Sequence, residues 1–267
     1  MAMHDQQFSG KMAFVTGASS GIGRAIAEEL GARGMQVVVA DIDFVGAERV
    51  AAGIEGASAI KLDVRDEAGW VAALDLAEAR HGPLAVLVSN AGVMGSTTPF
   101  TETPLYAWEW SRSVSLDGAF YGLTHGARRI LAAGTPGHII ATSSMSIFSP
   151  TARTGVYAAM KAGVAVLCEA LRDEMSDRPI GVSVLVPGAV RTNILESNAS
   201  RSPDGRPVGE NLDELTEMLR NGLDPAQVAK QVADALGTDK FWLFTHPELE
   251  HRIDTLFAEM KAALHGN

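Results

Sequence analysis

Short runs of aliphatic and aromatic residues alternate along the chain with stretches whose apolar positions recur at helical spacing. The strand-like runs are 12–16, 36–40, 57–62, 84–88, 138–142, 181–186 and 241–245, and helical patterns fill 22–33, 45–52, 67–80, 105–133, 156–175, 225–236 and 249–264. Runs that are apolar throughout, instead of at every second residue, suit strands covered on both faces. Their alternation with helices calls for parallel pairing through right-handed crossovers. The pattern predicts an α/β fold, a doubly wound, seven-stranded parallel sheet with helices on both faces. Pro104 and Pro225 sit where a first helical turn tolerates a missing N–H, which makes Thr103 and Asp224 the expected N-caps. Residues 196–211, ESNASRSPDGRPVGEN, follow neither period and read as a long loop of the kind that serves as a lid. With no repeat or linker, the expectation is one domain over 1–267, carrying a substrate loop or lid at about 193–221.

Composition narrows the class. The chain has 267 residues, 46% hydrophobic and 20% charged, which excludes disorder and fibrous repeats. Its 22 Lys+Arg against 32 Asp+Glu give a net charge of −10, so the basic footprint of a nucleic-acid or acidic-lipid binder is missing. Cys168 stands alone, so no intrachain disulfide forms. The first seven residues lack the pattern of a signal peptide, and the longest uncharged stretch, 82–101, is broken by Gly, Pro, Ser and Asn. The expectation is a cytoplasmic protein without nucleic-acid or membrane partners.

The first junction between strand and helix reads Thr16-Gly17-Ala18-Ser19-Ser20-Gly21-Ile22-Gly23. Gly17 permits a tight turn, Gly21 leaves room for a pyrophosphate, and Gly23 lets the helix pack closely. The N–H groups of Ser19, Ser20 and Ile22 fall where a helix N-terminus receives phosphate. The second strand ends at Asp41, 24 residues beyond Gly17. An acid there accepts hydrogen bonds from both hydroxyls of an adenosine ribose and repels a 2′-phosphate, and no Arg or Lys sits beside it, Ile42 being next in sequence. NAD is therefore expected ahead of NADP.

Tyr157 and Lys161 lie one turn apart at the start of a helical run, 13 residues after Ser144. A free tyrosine is a poor base at neutral pH. An ammonium ~4 Å away favours the phenolate by roughly 4 kcal/mol at an effective dielectric near 20, or ~3 pK units. A tyrosine so tuned can take a proton from a secondary alcohol or give one to a ketone, with Ser144 holding the substrate oxygen.

Together TGxxxGxG at 16–23, Asn90-Ala91-Gly92, Ser144, the Tyr157/Lys161 pair and Pro187-Gly188 resemble the short-chain dehydrogenase/reductase family, in its single-domain, Rossmann-type, NAD(P)-dependent branch. The resemblance covers about residues 10–192 closely. It implies that Asp63 and Val64 flank the adenine and that Asn90, Ala91 and Gly92 steady the sheet near its ribose. It further implies that Pro187, Gly188, Val190 and Thr192 receive the nicotinamide, and that Tyr157 and Lys161 also touch the cofactor. The family commonly carries Asn where Ser115 stands here, which leaves open a fourth catalytic position and its water relay. The resemblance also implies a homo-oligomer, a tetramer or dimer, with the small-residue faces of 115–133 and 156–175 suited to helix packing between copies.

The substrate pocket is expected to be walled by Val93 and Met94, by Met145, Ile147 and Phe148, and by Ala189, Ile194 and Leu195, with Arg191 the one charge in these stretches. Such a wall suits a hydrophobic alcohol or ketone. No metal site is expected, because the seven histidines lack ligand spacing. Cys168, Trp108 and Trp110 read as packing residues. The resulting expectation is an NAD-dependent oxidoreductase acting on a secondary alcohol and its ketone. Two alternatives stay open, an NADPH-preferring carbonyl reductase and a dinucleotide-binding regulator without catalysis.

Overall fold

The unbroken apolar runs are explained by strands that face protein on both sides. The computed structural model describes residues 7–203 and 213–266. Seven strands form one parallel sheet, namely β1 (Met12–Thr16), β2 (Gln36–Asp41), β3 (Ser58–Lys61), β4 (Leu84–Ser89), β5 (Gly137–Thr142), β6 (Ile180–Val186) and β7 (Trp242–Phe244). They lie in the order β3-β2-β1-β4-β5-β6-β7. Every residue of β1, β4 and β5 is buried. Side chains alternate across the sheet. Met12 and Phe14 enter the core that holds Trp70, Leu74 and Ile139, while Ala13 and Val15 enter the one that holds Ile26, Leu30 and Val232.

The helices are α1 (Gly21–Ala32), α2 (Phe44–Ala51), α3 (Glu67–His81), α4 (Leu105–Arg112), α5 (Gly118–Ala133), α6 (Gly155–Glu174), α7 (Ile194–Ser200), α8 (Asp213–Arg220), α9 (Pro225–Ala235) and α10 (Glu250–His265). Among the described residues no helix is long and apolar enough to cross a membrane. Asp224 caps α9 as expected, accepting from the Ala226 N–H at 2.9 Å. Thr103 does not cap α4. Its hydroxyl donates to the Pro99 carbonyl, and α4 starts after Pro104 without a side-chain cap.

Three other differences from the pattern have physical causes. The expected single helix over 105–133 is interrupted by a π turn at Ser113–Asp117, where the Ser115 hydroxyl is tied to the backbone of Val93. The polar stretch read as a loop begins inside a helix, since α7 runs to Ser200; residues 204–212 lie outside the described chain. The glycines of α5 face inward instead of toward another copy. A Cβ on Gly122 would meet Trp70 at 2.8 Å and one on Gly126 would meet Leu87 at 2.4 Å. Their absence lets α5 lie close against β4.

His138, fully buried on β5, shows how polar groups survive in this core. Its Nδ1 accepts from the Gly237 N–H at 3.2 Å, so the proton sits on Nε2 and is donated to Ser183 Oγ at 2.8 Å. Ser183 in turn donates to the Lys240 carbonyl. Burial pulls the His138 pKa down to about 4. Above pH 6.5 the imidazole is neutral in both folded and unfolded chains, and between 6.5 and 4 only the unfolded chain takes up the proton. Stability is therefore expected to fall by about 3 kcal/mol from this residue as pH drops from 6.5 to 4, and to lose no more below that. NMR titration of the His138 ring checks the cause, and a midpoint near 6.5 would refute it.

Candidate active site

The direction in which strands are added reverses between β1 and β4, and at the C-terminal ends of these strands an open cleft forms. Three side chains tie the strand ends together. Thr16 Oγ1 accepts from the Asn90 and Ala91 N–H groups at 2.9 and 3.1 Å. The Asn90 amide donates to the Thr16 carbonyl at 3.0 Å, while its oxygen accepts from the Thr142 hydroxyl at 3.2 Å. β1, β4 and β5 are thus fixed relative to one another just where the chain leaves the sheet.

The glycine turn is built on this tie. Gly17 and Gly21 have positive φ, +63° and +56°, and a Cβ would stand 2.9 Å from Ala91 Cα at the first and 3.1 Å from the Thr192 methyl at the second. At Gly23 a Cβ would lie 2.3 Å from the Gly17 carbonyl, so this glycine packs the helix against the turn itself. Ser20 precedes α1 without a side-chain cap bond, which leaves N–H groups of the first helical turn unpaired by a side chain. The Asp41 carboxylate is held by the Ser19 and Asp43 N–H groups at 3.0 and 2.9 Å. The local sequence showed no cation beside Asp41, but Arg201, following α7, brings a guanidinium nitrogen to 3.4 Å from it. Asp63 is engaged by Arg65, whose hydrogen bonds hold its carboxyl below the usual carboxylate range.

At the other end of the cleft, the Tyr157 hydroxyl is hydrogen-bonded to Ser144, whose Oγ also accepts from the Ser146 N–H at 3.2 Å. Lys161 Nζ donates to the Thr142 carbonyl at 2.7 Å and lies 5.9 Å from the centre of the Tyr157 ring. A Cβ on Gly92 would come within 3.1 Å of Nζ, so the glycine makes room for the ammonium. The charge arithmetic of an isolated pair does not describe this site. Burial raises the Tyr157 pKa, only partly opposed by the Ser144 bond, and burial lowers that of Lys161 to about 8. Desolvation acts on both groups and favours the neutral form of each. Ser115 is buried. Its hydroxyl accepts from the Val93 N–H at 3.1 Å and donates to the Val93 carbonyl at 3.2 Å.

One cleft of ≈ 790 Å³ joins the two ends. Its wall includes Gly17, Ser20, Gly21, Ile22, Asp41, Asp63, Val64, Asn90, Ala91, Gly92, Pro187, Gly188, Val190 and Thr192, together with Ser144, Tyr157 and Lys161. Ser19, Gly23 and Ser115 stand behind the wall. Of the expected pocket residues, Val93, Met94, Met145, Ala189 and Ile194 line the cleft, whereas Ile147, Phe148 and Leu195 do not. The 3₁₀ turn at Met145–Ile147 sends Phe148 away to pack on Trp242 and Phe244, with ring centres 6.2 and 5.9 Å apart. Arg191 is turned from the cleft to pair with Asp224.

Charged side chains that reach the cleft from elsewhere include Arg153, Arg252 and Glu214. Trp110, read as packing, is both buried and part of the wall, while Trp108 is more than one-third exposed. Met218 and Leu219 of α8 extend the apolar side. Cys168 is buried, with its thiol pushed up to about 12 by burial, as suits a packing residue.

The family model described as short chain dehydrogenase matches residues 11–202. The C alpha-dehydrogenase of a Sphingobium species is 30% identical over 261 residues, 94% of this chain and 86% of that protein. The NADP-dependent (R)-specific alcohol dehydrogenase of Lentilactobacillus kefiri is 33% identical over 195 residues, 71% of this chain and 77% of the other. Among solved structures, a short chain dehydrogenase/reductase from Burkholderia phymatum in complex with NAD matches with a TM-score of 0.89 at 28% identity, covering 98% of this chain and 96% of that one.

The strand-end tie makes a direct prediction. Asn90→Ala removes bonds to both neighbouring strand ends, and a loss of about 2 kcal/mol in unfolding free energy is expected. Urea denaturation measures it, and a change below about 0.5 kcal/mol would show that the tie does not hold the strand ends.

Proposed function

This chain belongs to the short-chain dehydrogenase family, and we propose that it is an NAD-linked oxidoreductase interconverting a hydrophobic secondary alcohol and its ketone. The observation that carries the reading is the presence of Ser144, Tyr157 and Lys161 on the wall of a cleft whose other end holds the glycine turn and Asp41.

A nicotinamide dinucleotide suits this chain. The glycine turn has no Cβ where a pyrophosphate must come close, the first turn of α1 offers uncapped N–H groups, and a carboxylate stands at the end of β2. In this reading Asp41 accepts from the adenosine ribose, Asp63 and Val64 flank the adenine, and 187–192 receive the nicotinamide. Bound and oxidised, the cofactor supplies a hydride acceptor and a positive charge that favours the tyrosine phenolate.

The chain's own part is the proton. Tyr157 Oη takes it from the alcohol or returns it to the ketone oxygen, and Ser144 holds that oxygen by a hydrogen bond. Lys161, anchored on Thr142, stands beside the ring and orders the cofactor ribose. Ser115 is assigned a supporting role. Its hydroxyl is engaged on both sides by Val93, which fixes the chain after β4 to the π turn, so its presence is compatible with an intact proton-transfer set. This weighs against the noncatalytic alternative.

The apolar wall of Met94, Trp110, Met145, Ile194 and Met218 supports a hydrophobic substrate. The described parts of 193–221, α7 and α8 among them, act in this reading as its lid. Asn198 holds α7 over the cleft by pairing its amide with both backbone groups of Gly95 at 3.1 Å, and α8 contributes Leu215 and Met218. A cytoplasmic homo-oligomer completes the proposal, supported by Phe120 of α5 and Val166 of α6, which are exposed apolar side chains.

A second reading, NADP dependence, is favoured by Arg201. Its guanidinium lies beside Asp41 and would suit a 2′-phosphate, which Asp41 alone would repel.

Tyr157→Phe is expected to lower kcat by at least about 10²-fold while leaving NADH binding within about twofold. Retained turnover in a spectrophotometric assay over hydrophobic secondary alcohols would point to another acid. Titration with both cofactors separates the two readings of the ribose end. The wild type should bind NAD more tightly, Asp41→Ser should improve NADP binding about tenfold, and Arg201→Ala should weaken only NADP. A wild type that prefers NADP would favour the second reading.

A further inference from the structure

The segment after β6, Pro187 to Thr192, has little regular structure of its own. A single parallel bridge links Val190 to Leu223, and the Met145 N–H donates to the Pro187 carbonyl at 2.9 Å. Leu223 also donates its N–H to the Ala189 carbonyl at 2.8 Å, and a second grip on the middle of the segment comes from beyond the end of β7. His246 lies against the backbone of Gly188 and Ala189 and bonds to both. The Gly188 N–H donates to His246 Nδ1 at 3.1 Å. A backbone amide can only donate, so Nδ1 carries no proton, and the Thr245 hydroxyl at 2.6 Å donates to the same nitrogen. The ring proton is therefore on Nε2, which donates to the Ala189 carbonyl at 3.0 Å.

The glycine at 188 is part of this arrangement. A Cβ there would stand 2.8 Å from His246 Cγ and 2.9 Å from Nδ1, so only glycine lets the ring lie against the backbone. One imidazole thus holds two consecutive residues through opposite ring nitrogens, and it also reaches the cleft wall.

We propose that His246 is a positioning residue that clamps Gly188 and Ala189 and thereby shapes the nicotinamide end of the cleft. The inference rests on the reading that 187–192 receive the nicotinamide. Its action is on a backbone segment and not on a proton in flight, so it should be visible in binding alone. It should also distinguish ligands that reach this segment from those that stop short of it.

ADP-ribose carries the adenosine, pyrophosphate and second ribose of the cofactor but no nicotinamide. The full chain, His246→Ala, His246→Asn and Gly188→Ala are titrated with NADH and with ADP-ribose by calorimetry. His246→Ala is expected to bind ADP-ribose within about twofold of wild type and NADH about tenfold more weakly, the scale of one or two lost hydrogen bonds. His246→Asn keeps an acceptor at the δ position for the Gly188 N–H and should recover most of the NADH affinity. Gly188→Ala, which displaces the ring, should reproduce the selective loss even if His246→Ala folds poorly. Equal weakening of both ligands, or no weakening of either, overturns the clamp. A wild type that binds NADH no more tightly than ADP-ribose overturns the nicotinamide reading on which the clamp rests.

Discussion

Where parallel strands end together, their last amides and carbonyls need partners that the sheet can no longer supply. In this protein the need is greatest at the gap between β1 and β4, because the sheet grows outward from there in both directions. Thr16, Asn90 and Thr142 meet it with short side chains that bond across three strands. The rest of the cleft takes its dimensions from that tie. It places Ala91 so close to Gly17 that no side chain fits between them, and it fixes the strand end whose carbonyl anchors Lys161. The two ends of the cleft are thus referenced to one rigid point, which loops alone would not provide.

The same closeness governs the electrostatics. Taken as an isolated pair in a medium of intermediate dielectric, Lys161 would pull a proton off Tyr157. Within the fold both groups lose water, and that loss raises one pKa and lowers the other. The unliganded cleft therefore stores Tyr157 in its protonated form. Under the proposed reaction, positive charge that arrives with the cofactor would favour removal of that proton.

What could be read from the sequence was what depends on neighbours in the chain. Strands with protein on both faces print as unbroken apolar runs, and the seven runs lie within a few residues of the observed strands. The glycine turn, Asp41 and the Tyr157/Lys161 spacing are also local. Arg201, Arg153, Arg252 and His246 were out of reach because each comes to the cleft from a distant element, with nothing beside it in sequence to mark it. Proximity in sequence also misled: Phe148 follows Ser144 by four residues, yet the intervening 3₁₀ turn sends it to the aromatic cluster at β7. The π turn, unread in the sequence, shows in which positions are buried. Ala107, Ser111, Ser115, Ala119, Leu123 and Ala127 are all buried and recur every four residues, whereas five turns of α-helix take only about 18 residues. The excess over that period must be absorbed somewhere, and the wider turn at 113–117 absorbs part of it.

The position of β7 has a consequence for how the protein is made. The strand pairs only with β6, at the outer margin of the sheet, yet the residues just beyond it grip the backbone at 188 and 189. During synthesis the glycine turn and the strands through β6 emerge first, and the loop after β6 lacks its His246 contacts until some sixty further residues have left the ribosome. A ligand that depends on that loop can therefore do little to guide the early steps of folding. Its stabilisation by mass action acts on the finished molecule, as a late lock and not as a template.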